Sequence, residues 1–305
     1  MKNPKKSKGL KIILIISGIV VFLIGLLSVG GYLLYRYVYL PKKSKGYVSS
    51  VEANYYESKT LLKNLEEDIP KLLNLDDKNI KTEGNWKELE VVTNSKDISN
   101  NFISSISEYK DEIPSSNSLI ADLDTSLHRY YDLSISIGQR YKDIVEYEEE
   151  IQPHIFTINN IDAQYQEMYE YDTEEELLTM SQKCSDWAAE YEELKSTIND
   201  IEINEDTDIK NQVIKDYLDD IVNFLNENAE ITDEFIQASI VGDEYQITLL
   251  TYEYAKLELE FSDAQSEYYS GFQNYDKQMR EKLLTEISSI KAKKSNIEDK
   301  MKEYK

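Results

Sequence analysis

The stretch Ile12–Tyr35, IILIISGIVVFLIGLLSVGGYLLY, decides how the rest of the chain is read. Its 24 residues carry no charge. At 1.5 Å rise per residue such a helix spans roughly 36 Å, enough to cross a hydrocarbon core of about 30 Å with some tilt. Tyr32, Tyr35, Tyr37 and Tyr39 gather at its C-terminal end, followed by Pro41, Lys42 and Lys43. That is the aromatic belt and cationic collar expected at a headgroup boundary. A cleavable signal peptide is the nearest alternative, because Ser28-Val29-Gly30 offers a small-x-small site. Its apolar region would be too long, and cleavage would leave Leu33, Leu34, Tyr37, Val38 and Leu40 unpaired at the new terminus. No cysteine follows closely enough for a lipoprotein anchor. The sequence therefore predicts a transmembrane helix that is not cleaved, a signal anchor.

Working outward, the pentapeptide Lys5-Lys6-Ser7-Lys8-Gly9 recurs word for word as Lys42-Lys43-Ser44-Lys45-Gly46. The two flanks are thus almost equally positive, and the positive-inside rule scarcely discriminates between orientations. A short lysine-rich tail is easily retained in the cytoplasm while a long acidic domain can cross, so the expected orientation is N-terminus in, C-terminus out. Residues 1–46 hold nine bases and no acid, residues 47–276 hold 16 bases against 53 acids, and residues 277–305 hold nine bases against five acids. The expected organisation is a cytoplasmic tail (1–11), the membrane helix (12–35), a basic juxtamembrane linker (36–46), an acidic all-helical domain (47–276) and a basic coiled-coil extension of the last helix (277–305).

Several function classes are disfavoured by composition alone. A net charge of −24 argues against nucleic acid, whose binding needs Lys and Arg to displace counterions. One cysteine allows neither a disulfide framework nor a thiolate metal cage, and two histidines are too few for most metal sites. The lysine, asparagine, isoleucine and tyrosine bias points to a bacterial source.

Beyond residue 46 only four glycines remain, and no proline follows Pro153, which leaves too little turn chemistry for sheets. Apolar positions recur instead at spacings of three and four. Val48, Val51, Tyr55, Leu62, Leu65 and Ile69 mark a helix ending at Pro70, with Ser49 and Glu52 as a capping box at its start. Residues 76–94, with Trp86 as anchor, read as a loop. Ile98 to Ile113 marks a second helix closed by Pro114, and a third runs from about Ser118 to Ile151, closed by Pro153. Gly138 inside it implies a close contact or a bend. A capping box at Thr173–Glu176 opens a fourth helix through Ile201. The fifth, Val213 to Ala238, carries Asn228 on its apolar stripe, either as a register-fixing polar residue or as a thin wet seam. Gly242 then serves as a C-cap and Asp243, with Gln246, as an N-cap, predicting a tight αα-hairpin. From Leu250 to Tyr304 the stripe runs nearly unbroken. Such a helix outruns a compact globule, so the body should be elongated or its basic end should protrude as a coiled coil.

Candidate chemistry is sparse. Ser107 with Lys110 and Ser288 with Lys291 match the S-x-x-K spacing of Ser–Lys nucleophiles, but both pairs lie on charged helical faces without the accompanying motifs. Asn204, Asp206 and Asp208 imitate the first ligands of a calcium loop, which then fails because Ile209 replaces the glycine and Lys215 the bidentate Glu. The clusters Glu148–Glu150 and Glu174–Glu176 read as solvated faces. Cys184, on an apolar stripe, reads as a buried free thiol, His128 as exposed, and His154 as part of a linker after Pro153. Tyrosine is the odd enrichment, 24 against seven phenylalanines, including the pairs Tyr55-Tyr56, Tyr130-Tyr131 and Tyr268-Tyr269. Boundary positions with buried rings and wet hydroxyls explain this, and a tyrosine-lined recognition surface is the alternative. The basic end reads as an ion-paired helix end.

The expectation is an all-α protein: one N-terminal transmembrane helix, then an elongated bundle or coiled-coil domain of about six helices. No catalytic, cofactor-binding or metal-binding residues and no cofactor are expected. Its function would be that of a non-enzymatic interaction or scaffold protein in the cell membrane, with the C-terminal domain extracellular. The partners expected are the membrane and another protein, with no nucleic acid, and Gly18 and Gly25 would permit a homo-oligomeric seam. A ligand-sensing bundle acting through a membrane partner and a cytoplasm-facing scaffold are the alternatives.

Overall fold

The computed structural model describes residues 21–73, 84–168 and 174–305, with side chains for all of these except 84–89 and 174. The basic tail, Ile12–Val20 with Gly18, residues 76–83 of the expected loop, the Trp86 side chain and Thr173 of the second capping box lie outside that description. Among the described residues every regular element is helical. We number them α1 (Val21–Leu72), α2 (Gly84–Asp111), α3 (Ala121–Glu167), α4 (Glu174–Asn199), α5 (Asp208–Val241) and α6 (Glu244–Glu303).

Helix α1 is continuous from the apolar run into the body, so the stretch read as a juxtamembrane linker is helical. Tyr35–Tyr39 form a π-helical turn in which the Leu40 N–H donates to the Tyr35 carbonyl. Pro41 explains the widening, since it has no N–H for the Tyr37 carbonyl and its ring needs that carbonyl displaced. Ser49, expected at a helix start, is therefore mid-helix. Pro70 lies inside the last turn, two residues before the helix ends at Leu72.

Two further expectations need correction. Helix α2 begins at Gly84, so the second half of the expected loop is helical. Helix α3 passes straight through Pro153, which was expected to close it. An interior proline costs about 3 kcal/mol or more. Here Ile151, Ile155 and Ile158 are buried on both sides of it, and Glu149, whose carbonyl loses its donor, is exposed to water. His154 is accordingly a half-buried helical residue, its pKa lowered by burial.

The hairpin between α5 and α6 forms as expected. Gly242 adopts φ 72°, ψ 31°, a left-handed conformation that glycine adopts without a Cβ clash. The Asp243 N–H donates to the Ala238 carbonyl at 3.0 Å, and Asp243 Oδ1 accepts from the Gln246 N–H at 3.0 Å. Helix α6 then runs 60 residues without a break.

The chain divides into two compact units. The first comprises Met1–Thr60, Ser105–Leu133 and Ile290–Lys305. Val51, Tyr55, Ile106, Leu123, Leu127, Tyr130 and Ile297 are buried in it. The Tyr47 hydroxyl donates to Asp124 at 2.7 Å, Lys59 pairs with Glu298 at 2.6 Å, and Lys305 pairs with Glu52. Met301 is buried and the Tyr304 hydroxyl donates to the Leu119 carbonyl at 2.6 Å, so the basic end is packed and ion-paired here rather than protruding.

The second unit comprises Leu61–Ser104 and Ser134–Ser289. Its core joins Ile151, Ile158 and Tyr165 of α3, Cys184, Tyr191 and Ile198 of α4, Ile214, Ile221 and Phe224 of α5, and Leu257, Phe261 and Tyr268 of α6. Gly138 makes the close contact its position implied. A Cβ there would lie 2.7 Å from the Phe102 ring of α2. Gly271 does the same against Val213, a contact the sequence pattern does not announce.

Candidate interaction surface

Several of the residues singled out as candidate catalytic or ligating groups are engaged with other partners. Lys110 pairs with Asp132 at 2.6 Å and Ser288 donates to the Leu284 carbonyl at 2.8 Å, so each S-x-x-K pair has a member engaged elsewhere. In the calcium-like stretch, Asn204 Oδ1 accepts the N–H groups of Asp206 and Thr207, closing a turn. The Asp206 carboxylate is held by Lys282 at 2.6 Å and by Arg140. Burial would raise its pKa, but the hydrogen bonds and charges of these two cations hold it below the usual range. Among the described residues, no group of three or more His, Cys, Asp or Glu side chains is placed to hold a metal.

Glu148 corrects the solvated-face reading. It is 1% exposed, and both its oxygens accept from Lys210 Nζ, at 2.8 and 2.7 Å. Gln152 adds a third hydrogen bond, and the Lys210 ammonium lies over the Phe272 ring. A signal was present, because Glu148 falls four residues after Ile144 and three before Ile151, on the apolar stripe. The neighbouring Glu149 and Glu150 are exposed, as expected.

Asp162 is a second buried carboxylate that the pattern conceals. It accepts from the Tyr191 hydroxyl at 2.8 Å, the Tyr217 hydroxyl at 2.5 Å and Gln265 at 3.4 Å. Burial pushes its pKa up to about 6, while these hydrogen bonds pull the other way. Asn228 is completely buried. It donates to the Tyr165 hydroxyl at 2.9 Å and accepts from Thr232 and the Cys184 thiol. Cys184 is a buried free thiol, as expected, and burial raises its pKa to about 12. His128 stays half-exposed with Nδ1 against the Asp124 carbonyl.

The tyrosines depart from the boundary reading. The Tyr141 hydroxyl donates to Asp68, those of Tyr191 and Tyr217 to Asp162, and that of Tyr165 to Glu258. Their hydroxyls are buried with their rings and serve the core, because burying a hydroxyl without a partner is costly and a carboxylate is a strong acceptor. Tyr56, at 44% exposed, is the surface member of its pair.

Among the described residues, two surfaces carry most of the exposed large apolar side chains. The first is helix α1 from Val21 to Tyr39, where fourteen large apolar or aromatic side chains are exposed and none is buried. Burial begins at Leu40, 5% exposed. Tyr35 and Tyr39 stack at 5.5 Å between centroids, and Arg36 donates to the Tyr32 hydroxyl at 3.2 Å.

The second lies on the α5–α6 hairpin. Ile240, Val241, Tyr245, Leu249, Tyr252 and Leu259 are 40–79% exposed. Toward the body the same two helices border a groove of about 430 Å³. Asp220 and Glu227 of α5 and Glu260, Asp263 and Glu267 of α6 wall it, and no basic side chain does. Phe224 and Phe261, stacked with centroids 4.4 Å apart, line its floor. Burial together with the neighbouring Glu267, Asp216 and Asp219 raises the Asp220 pKa.

The fold and these surfaces define the class: an all-helical protein with one N-terminal helix long and apolar enough to cross a membrane. No protein-family model, curated protein or solved structure gives a match to the chain.

Proposed function

We propose that this chain is a single-pass, non-enzymatic membrane protein that presents its acidic helical body outside the cytoplasmic membrane to bind another protein. The observation that carries the reading is the bare apolar face of α1. Leaving fourteen large side chains in water forgoes about 1.5–3 kcal/mol each, of order 20–40 kcal/mol together. A contiguous bare apolar run of this length is far more than the surface of a water-soluble domain ordinarily carries, and a bilayer's hydrocarbon core would cover it. The tyrosines at its end suit a headgroup boundary, where a ring can sit in the apolar layer and a hydroxyl in water. A binding role fits a body in which the candidate catalytic residues singled out from sequence, such as Lys110 and Asp206, are engaged with other side chains, because catalysis needs unpaired groups converging on an open pocket.

The test uses the full chain with a C-terminal epitope tag in intact cells. The chain should stay with the membrane through alkaline carbonate extraction, and external protease should remove the tag. Release into the supernatant overturns the anchor. A tag that survives while a known surface protein is digested overturns the orientation.

A further inference from the structure

We propose that the outer face of the α5–α6 hairpin is a docking site for a basic, amphipathic helical segment of a partner protein. The inference rests on the interaction role above and names the chemistry of the partner. Helical geometry makes the apolar tip and the acidic groove one surface. Val241 lies eighteen residues from Asn223, Tyr245 eighteen from Asp263, and Leu249 eighteen from Glu267. Eighteen residues are five full turns, so these three tip residues each stand on the same line of their helix as a groove residue, roughly 27 Å further along.

Charge selects the occupant. From Glu230 to Asp263 there are nine acids and one base, Lys256, which is paired with Glu260 at 3.0 Å. That density repels a second copy of the same hairpin and an anionic lipid surface alike. It attracts lysine and arginine, whose aliphatic stems can lie over the apolar parts of the groove while their heads meet its carboxylate walls. Two parallel ridges with a trough between them suit a helix laid along them, with its apolar side chains against Tyr245, Leu249 and Tyr252. The exposed tyrosines supply amphipathic anchor area of the kind enriched at interface centres.

The experiment uses the full chain in uncharged-lipid nanodiscs. The probe is a fluorescent eighteen-residue helical peptide with a leucine stripe and lysines elsewhere, and its Glu-for-Lys analogue is the comparison. At 0.15 M salt the lysine peptide should bind with Kd on the order of 10 μM, and the glutamate analogue should not. Tyr245→Ser with Tyr252→Ser should weaken binding about tenfold without changing helicity. Glu227→Gln with Glu260→Gln and Glu267→Gln should weaken it similarly and flatten its salt dependence. The triple variant Glu190→Gln, Glu192→Gln, Glu193→Gln on α4 should leave it unchanged. Equal losses from the α4 variant, or equal binding of both peptides, overturn the proposal. So does a homodimer of the chain that the tyrosine variant dissolves, which would make the face a self-association surface. The peptide result is independent of topology: binding can fail in a chain that passes the carbonate and protease tests, and the reverse.

Discussion

Replacing Asp162 by asparagine tests whether burial raises the pKa of this tyrosine-bonded carboxylate. With its pKa raised from an ordinary 3.8 to about 6, the folded state holds this proton more tightly than the unfolded chain does. Its contribution to stability is therefore fully present below pH 4 and is lost as pH rises through about 6. The gap of roughly two pH units is worth about 3 kcal/mol at 1.36 kcal/mol per unit, of which about 2 kcal/mol falls between pH 4.5 and 7. Asparagine keeps an oxygen for Tyr191 and Tyr217 and never ionises, so its stability lacks this fall. Urea unfolding of the detergent-solubilised full chain, followed through Trp187 in the same core, reads the difference. Relative to the wild type, Asp162→Asn should gain about 2 kcal/mol from pH 4.5 to pH 7. At a slope of roughly 3 kcal/mol/M this moves the urea midpoint by about 0.7 M. Other carboxylates titrate in both proteins and cancel. A difference that is flat with pH, or that moves against the variant, would show that Asp162 is solvated or shares its site with a cation.

Lys210→Met should destabilise by about 3–5 kcal/mol, because it strands Glu148 as a buried unpaired carboxylate, and adding Glu148→Gln should return most of the loss; denaturant midpoints of the three variants check this. Gly138→Ala should cost about 1–3 kcal/mol although alanine favours a helix by about 1 kcal/mol, since the new methyl meets the Phe102 ring. Thermal melts of Gly138→Ala with and without Phe102→Leu separate that clash from a backbone effect, the smaller side chain restoring the lost melting temperature.

Helical class was legible because apolar spacing of three and four is a local signal repeated over hundreds of residues. The hairpin at Gly242 was legible because a left-handed C-cap and an aspartate N-cap are each written in a few adjacent residues. Pro153 misled for the complementary reason. The proline is a local signal to stop, and what carries α3 through it is burial of Ile151, Ile155 and Ile158 against other helices. Gly84 and its neighbours misled likewise, lacking a clean stripe yet being helical.

The candidate site divides along the same line. The uncharged run, the tyrosine belt and the acidic excess are sums over sequence, so they point without a structure to an anchor and a negatively charged body. Which acids are solvent-facing is a tertiary fact. Glu148 and Glu149 are neighbours in sequence, yet one is closed between helices on Lys210 and the other exposed, because adjacent helical positions differ by 100°. In the same way, only packing could turn Tyr191 and Tyr217 onto one carboxylate from different helices while leaving Tyr245 and Tyr252 bare. Residue type sets what a side chain can bind; the neighbours brought in from distant sequence decide whether it already has.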